Sequence, residues 1–182
     1  MEVIQAIKTR RSIRRYKPEA VPEEKLNAVL EAARWAPSWA NTQCLRFIVV
    51  RNSDTRAKLA DVLTSWNPAR EAIKEAPVVI VACAERGKSG FYQGEAVTDK
   101  GDWYMFDSGL AMQNLTLAAH SLGLGTVHVG AFDAQRAARI LNVPEGVAVV
   151  EMTPLGYPAK ESKPPSRKEL SELVSYESYG QK

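Results

Sequence analysis

The sequence predicts an α+β or α/β sandwich in a single domain, on three observations. Four short runs rich in β-formers, at residues 46–51, 77–82, 127–130 and 147–155, are separated by stretches whose apolar residues recur at helical spacing. One of those stretches, residues 103–122, has no charge after Asp107, as suits a helix buried on most sides, in the core or against a partner subunit. The chain has 182 residues, 45% hydrophobic and 25% charged. That is enough for one core and too little for two comfortable ones. The pattern alone does not order the strands.

Residues 3–10 read as a short helix with Val3, Ile4 and Ile7 on one side. Pro22, followed by Glu23 and Glu24, marks a helix start: proline fits the first turn, and carboxylates suit the positive end of the dipole. Leu26, Val29, Leu30 and Ala33 continue that helix until Pro37 stops it. Residues 37–45 form a polar loop before the strand at 46–51. Asp54 is the expected cap of a helix to about Trp66, and a shorter helix at 69–75 leads into the strand at 77–82. Residues 85–102 are polar and Gly-rich, a long loop of the kind that often serves as a lid. After the apolar helix, Gly123-Leu124-Gly125-Thr126 turns the chain into the strand at 127–130. Asp133 starts a helix ending near Pro144, and residues 147–155 form the last strand. A Pro-rich stretch at 157–165 precedes a weak helix or extended arm at 167–176.

Several function classes are excluded by composition. No uncharged apolar stretch approaches the roughly 20 residues of a membrane span; the longest uncharged run, 108–132, is broken by Gln113, Asn114, His120 and glycines. The N-terminus lacks the basic start and apolar stretch of a signal peptide, so a cytoplasmic location is expected. Cys44 and Cys83 show no ligand spacing and read as buried thiols. With only His120 and His128 beside them, no zinc site is expected. Both histidines lie in apolar segments and read as satisfied core residues.

Charge is informative locally. Lys8, Arg10, Arg11, Arg14, Arg15 and Lys17 lie in a stretch with no acid between Glu2 and Glu19. The net charge is +3; without these six, 18 basic against 21 acidic residues leave −3. A nucleic-acid surface would need a wide basic face with interleaved aromatics or a recognition helix, and neither is visible. A single small anion is the expected partner.

Two Gly-containing motifs fail on context. Ala82-Cys-Ala-Glu-Arg-Gly87-Lys88-Ser89 nearly matches a P-loop, but Ala82 replaces the first glycine and Glu85 would put a carboxylate in the phosphate cradle. The residues after Ser89 are also a poor helix start. Gly123-Leu-Gly125 comes in the order helix, glycines, strand, the reverse of a dinucleotide fingerprint, and reads as a helix C-cap. No Gly-x-Ser-x-Gly elbow exists. Asp107, in the first turns of an apolar helix, reads as a hydrogen-bond partner for the helix end rather than a catalytic acid.

Arg10-Arg11-Ser12-Ile13-Arg14 is different. Guanidinium forks and a hydroxyl within five residues suit a phosphate. Downstream, Pro37-Ser38-Trp39-Ala40-Asn41-Thr42-Gln43 presents a hydroxyl and two amides, which can read the edge of a heterocycle without adding charge. Arg167-Lys168 adds a second basic pair near the end. These motifs, together with Asp107 opening the apolar helix that ends in Gly123-Leu-Gly-Thr126 and with Pro154-Leu-Gly-Tyr-Pro158, occur in the order of the nitroreductase family. The chain resembles those FMN-dependent oxidoreductases from about Ile4 to Val174.

The resemblance implies an α+β fold, a three-layer α/β/α sandwich with a mixed, mainly antiparallel central sheet, in an intertwined homodimer. Residues 1–182 would be one FMN-binding domain, with an arm at about 157–182 packing on the partner subunit. Arg10, Ser12, Arg14 and Arg167, with Arg11 adjacent, would hold the FMN phosphate and ribityl chain. Pro37, Ser38, Asn41 and Gln43 would approach the flavin from the other subunit. Asn67 matches a position where the family places an amide near the isoalloxazine, and Val129 and Gly130 would supply backbone contacts near the reactive nitrogen. Cys44-Leu45 departs from the Pro-Trp pair common at that point, and Trp39 stands where a small residue is usual, so the substrate pocket differs there. The implied activity is transfer of hydride from NADH or NADPH to FMN, then reduction of a small acceptor such as a nitroaromatic or quinone. No catalytic side chain is required, since the cofactor carries the chemistry. A flavin storage or sensing protein, or another reaction of the superfamily such as reductive dehalogenation or azoline oxidation, are the alternatives.

Overall fold

Strand β2 (Val78–Glu85) sets the architecture. Val78, Ile80 and Ala82 enter one core, while Val79, Val81 and Cys83 enter another. A strand buried on both faces needs a covering layer on each side. In the computed structural model, which describes residues 1–160 and 162–181, helices supply both layers. Helices α2 (Glu23–Arg34) and α5 (Tyr104–Ser121) cover one face with Leu26, Val29, Met112 and Leu115. Helices α3 (Ser53–Ala60), α4 (Arg70–Glu75) and α6 (Ala134–Ile140) cover the other with Leu59, Ile73 and Ala137. The expected three-layer α+β sandwich is what the chain forms.

The central sheet has the order β1-β2-β6-β5, where β1 is Leu45–Val50, β5 is Gly125–Thr126 and β6 is Val147–Gly156. All its ladders are antiparallel; the parallel component is an isolated bridge between Ser12 and Thr126. Strand β1 therefore lies at one edge. Helix α1 (Val3–Thr9) packs on α5, and helix α7 (Leu170–Leu173) is exposed in the C-terminal arm.

Local expectations are corrected at three points. Asn52, not Asp54, caps α3, its side chain accepting the Thr55 N–H at 2.9 Å, and the helix ends at Ala60 rather than near Trp66. The 85–102 stretch is not loop throughout: Glu85 ends β2, and Phe91–Tyr92 (β3) pairs with Glu95–Ala96 (β4) in a small hairpin. The strand expected at 127–130 is displaced to Gly125–Thr126, because that pair lies against β6 while the later residues keep only the Val129–Met152 bridge.

Gly125 is required where it stands. A Cβ there would lie 2.7 Å from Cβ and Cγ1 of Ile13. Gly125→Ala is thus expected to overpack the contact, destabilising the fold by about 1–3 kcal/mol and pushing aside the segment carrying Ser12. Chemical denaturation of the variant checks the loss of stability.

Candidate functional site

The basic segment is held by its neighbours on two sides. The Ile13 N–H donates to Thr126 O at 2.8 Å, and the Lys17 N–H to Tyr157 O at 2.9 Å. The buried Tyr16 hydroxyl donates to Ile13 O at 2.7 Å, with Pro154 O at 3.3 Å, and burial holds its pKa above the usual phenol range. The C-terminal strap crosses over this segment, where the Ser162 hydroxyl donates to Ser12 O at 3.2 Å. The result is a cleft of about 340 Å³ in which Arg10, Arg11, Ser12 and Arg14 meet Arg167.

Lys163 lines the same cleft and is missed by the sequence reading. Its only signal is its place in the Pro-rich stretch just ahead of Arg167. Five cations thus share one small space, and none is ion-paired among the described residues. Their cost shows at Arg10, whose pKa is lowered by burial and then by Arg11 and Arg167. Arg10 Nη1 is buried without a hydrogen-bond partner. A buried charged donor left unpaired is unfavourable, and a phosphate oxygen would relieve it. Arg11 behaves differently: its Nη1 donates to Lys8 O at 2.8 Å and Arg10 O at 2.7 Å, so it closes the end of α1.

The loop of Pro37, Ser38, Asn41 and Gln43 lies elsewhere. It forms a 3₁₀ turn, Trp39–Asn41, and Ala40, Asn41 and Gln43 all have positive φ, at 44°, 54° and 48°. Non-glycine residues in that region cost roughly 1–3 kcal/mol each and persist where surroundings impose them. Two clasps do so here. The Gln43 N–H donates to Ser38 Oγ at 3.0 Å, and the Trp39 N–H to Asp107 Oδ1 at 3.0 Å. Asp107 is buried, and its Oδ2 also accepts the Ser89 hydroxyl at 2.7 Å, so one carboxylate ties this loop to the hairpin loop. Asp107 is a hydrogen-bond partner, as expected, but it serves these two loops and not the end of its own helix. Pro37, Ser38 and Gln43 line an open groove of about 840 Å³ beside α2 and β1; Asn41 is exposed next to it. This groove shares no lining residue with the basic cleft.

Asn67 and the Val129–Gly130 segment are brought together. Asn67 Nδ2 donates to Ala131 O at 3.2 Å, and its Oδ1 accepts the Ala69 N–H at 2.9 Å, so the amide is engaged at both ends. Val129 is buried, with its N–H and carbonyl exchanged with Met152. Gly130 is exposed, which makes it the point of this pair where a ligand can approach backbone.

Neither histidine is a core residue. His120 is half-buried with Nε2 2.8 Å from Thr9 Oγ1, and burial together with Arg10 and Arg11 lowers its pKa. His128 is exposed, its Nδ1 2.8 Å from Glu151 Oε1. The alternation of an extended segment turned it outward from buried Val127 and Val129. The cysteines are free and buried. Burial, then Asp107, pushes the Cys44 thiol up to about 11, and burial pushes Cys83 up to about 11. Ellman's reagent at pH 8 is therefore expected to find no fast thiol in the native chain and two after unfolding.

Similarity to known proteins identifies the family. The family model described as the nitroreductase family matches residues 7–72 and 64–157. A Methanothermobacter thermautotrophicus protein bearing the name NADH dehydrogenase/NAD(P)H nitroreductase is 38% identical over 164 residues, covering 88% of this chain and 79% of its own. An NAD(P)H FMN reductase of Bacillus subtilis is 32% identical over 176 residues, covering 88% and 68%. The crystal structure of a nitroreductase family protein from Clostridium novyi superposes with a TM-score of 0.78 at 31% identity, covering 100% of this chain and 96% of that one.

Proposed function

The chain belongs to the nitroreductase family, and from that premise we propose that it is an FMN-dependent NAD(P)H oxidoreductase whose phosphate site is the five-cation cleft. The observation that carries this reading is the buried, unpartnered Nη1 of Arg10 among uncompensated positive charges. Arg10, Ser12, Arg14, Lys163 and Arg167 would hold the FMN phosphate; Arg11 supports them by closing α1. Gly130 offers backbone toward the ring system, with Val129 and Asn67 fixing its position through Met152 and Ala131. When bound, FMN supplies hydride acceptance from NADH or NADPH and delivery of electrons to a small acceptor such as a nitroaromatic or quinone. The residues of the chain orient, neutralise charge and exclude water, and no side-chain acid is assigned a catalytic role.

The separate position of the Pro37, Ser38, Asn41 and Gln43 loop supports a homodimer in which a second copy brings that loop to the flavin. On α1, Val3, Ile4 and Ile7 are exposed, as are Met105 and Phe106 on α5. Apolar exposure on this scale marks an interaction surface. The C-terminal arm, with exposed Leu170, Leu173, Tyr176 and Tyr179, would pack on the partner, and residues 1–182 act as one domain within that dimer.

Purified protein should be yellow or take up FMN, and NADPH or NADH should bleach its visible absorption. Initial rates with a quinone should give parallel double-reciprocal lines, the signature of one substrate leaving before the next arrives. Absence of any flavin uptake would overturn the reading; flavin bound but never bleached would indicate storage or sensing instead. Light scattering that reports a monomer would remove the dimer.

A further inference from the structure

His120 lies in the last turn of α5, where it meets the end of α1 at Thr9. It lines a cleft of about 330 Å³ together with Arg10 and Arg11, which also line the phosphate cleft. Opposing influences act on its ring. The C-terminus of a helix is the negative end of its dipole and favours a protonated imidazole. Partial burial resists that proton, and Arg10 and Arg11 repel it, so the pKa is held below the usual histidine value. A phosphate on the arginines offsets the repulsion and lets the helix end prevail. Resting on the flavin reading above, we infer that His120 is a proton-linked member of the phosphate site. It takes up a proton as the FMN phosphate binds, and so the hold on the cofactor tightens in more acidic solution.

The hydrogen bonds fix where the proton goes. The Thr9 hydroxyl donates to Gln5 O at 2.7 Å, which uses its single hydrogen. Toward His120 Nε2, 2.8 Å away, Thr9 Oγ1 then accepts, so Nε2 carries a hydrogen in both charge states. The incoming proton is taken from water by Nδ1. No acid is placed to compensate it beforehand. The rest of the His120 cleft, from Ile13, Leu124, Thr126, Pro158, Ser162 and Pro164, is uncharged. The phosphate cleft adds the cations Arg14, Lys163 and Arg167, and Lys25 of α2 is engaged by Leu122 O at 2.8 Å. Among the described residues lining the two clefts none is acidic, so the bound phosphate supplies the negative charge. Linkage makes the effect mutual: an anion that raises the proton affinity of His120 is itself held more tightly by the protonated ring.

The test is calorimetric titration of FMN into the full chain freed of cofactor, near neutral pH and at low salt to limit screening. Repeating it in two buffers of different ionisation enthalpy counts the protons exchanged per flavin. The phosphate of FMN, with a second pKa of about 6, can only release protons on meeting cations. Net uptake is therefore the expected signature of His120. His120→Gln keeps a neutral N–H donor for Thr9 and cannot titrate, so it should bind FMN without uptake. The ratio of FMN affinities, unmodified chain over variant, should rise about fivefold between pH ~8 and pH ~6. FMN binding without proton uptake in the unmodified chain overturns the inference and leaves the FMN reading intact. Equal uptake by His120→Gln, or an affinity ratio that does not change with pH, overturns it too. Failure of FMN to bind at any pH removes the cofactor reading and this one with it.

Discussion

Arg10→Ala is expected to raise the FMN dissociation constant by roughly 10- to 150-fold, the equivalent of one charge-assisted hydrogen bond of about 1.5–3 kcal/mol. The same change should leave the folded state no less stable. Arg10 holds its charge in the chain against burial and against Arg11 and Arg167, and its Nη1 finds no partner there. Removing it relieves a repulsion that a phosphate would otherwise compensate. Isothermal titration with FMN and thermal unfolding of the cofactor-free chain give the two halves of the result. Retained affinity would show that the cleft is not the phosphate site. A large drop in melting temperature would show that Arg10 is structural.

Asp107→Ala is expected to be among the most damaging single changes in the protein. It strands the Trp39 N–H and the Ser89 hydroxyl, both paired with a carboxylate that is 1% exposed. A buried donor left unsatisfied costs about 1–3 kcal/mol, which is expected in full at buried Ser89, with a smaller loss added at the part-buried Trp39 N–H. In a chain of this size each kilocalorie lowers the melting temperature by roughly 2–4 °C. Asp107→Asn should cost distinctly less. Its oxygen still accepts from Trp39, and its amide can donate to Ser89, whose hydroxyl rotates to accept. Equal losses for the two variants, measured by urea unfolding, would mean that packing rather than hydrogen bonding holds the loop. Since Asp107 also clasps the strained turn at Ala40 and Asn41, FMN affinity should fall in the same order as stability.

The sequence showed those parts of the molecule that depend on periodicity and local charge. The helix at Glu23–Arg34, the apolar helix at Tyr104–Ser121 and the last strand each carry an unbroken pattern, and each formed within a few residues of expectation. The Arg10–Arg14 segment was legible because guanidinium groups without nearby acids have few structural uses. What failed was local competition among nearly equivalent signals. Asn52 and Asp54 both favour a helix cap, and the structure uses the earlier residue. Residues 125–130 are all compatible with a strand, and only pairing with β6 selects Gly125–Thr126. Lys163 was invisible because nothing local says that a Pro-rich strap will double back over Arg10. Only the family resemblance, and no local pattern, implied that the Ser38 loop and the basic cleft face different spaces within one chain. That separation arises from packing around β2, a long-range property with no local signature.

The order β1-β2-β6-β5 also bears on how the chain is made. Strand β2 is finished at Glu85, yet β6, its neighbour on the open side, does not begin until Val147. During synthesis an eight-residue apolar strand leaves the ribosome with one side bare and must wait for a segment encoded much later. Closing so long a loop is entropically slow, and an unpaired apolar edge is open to other nascent chains in the meantime. Recovery of folded chain is therefore expected to improve when fewer unfinished chains are present at once, as at a lower level of expression.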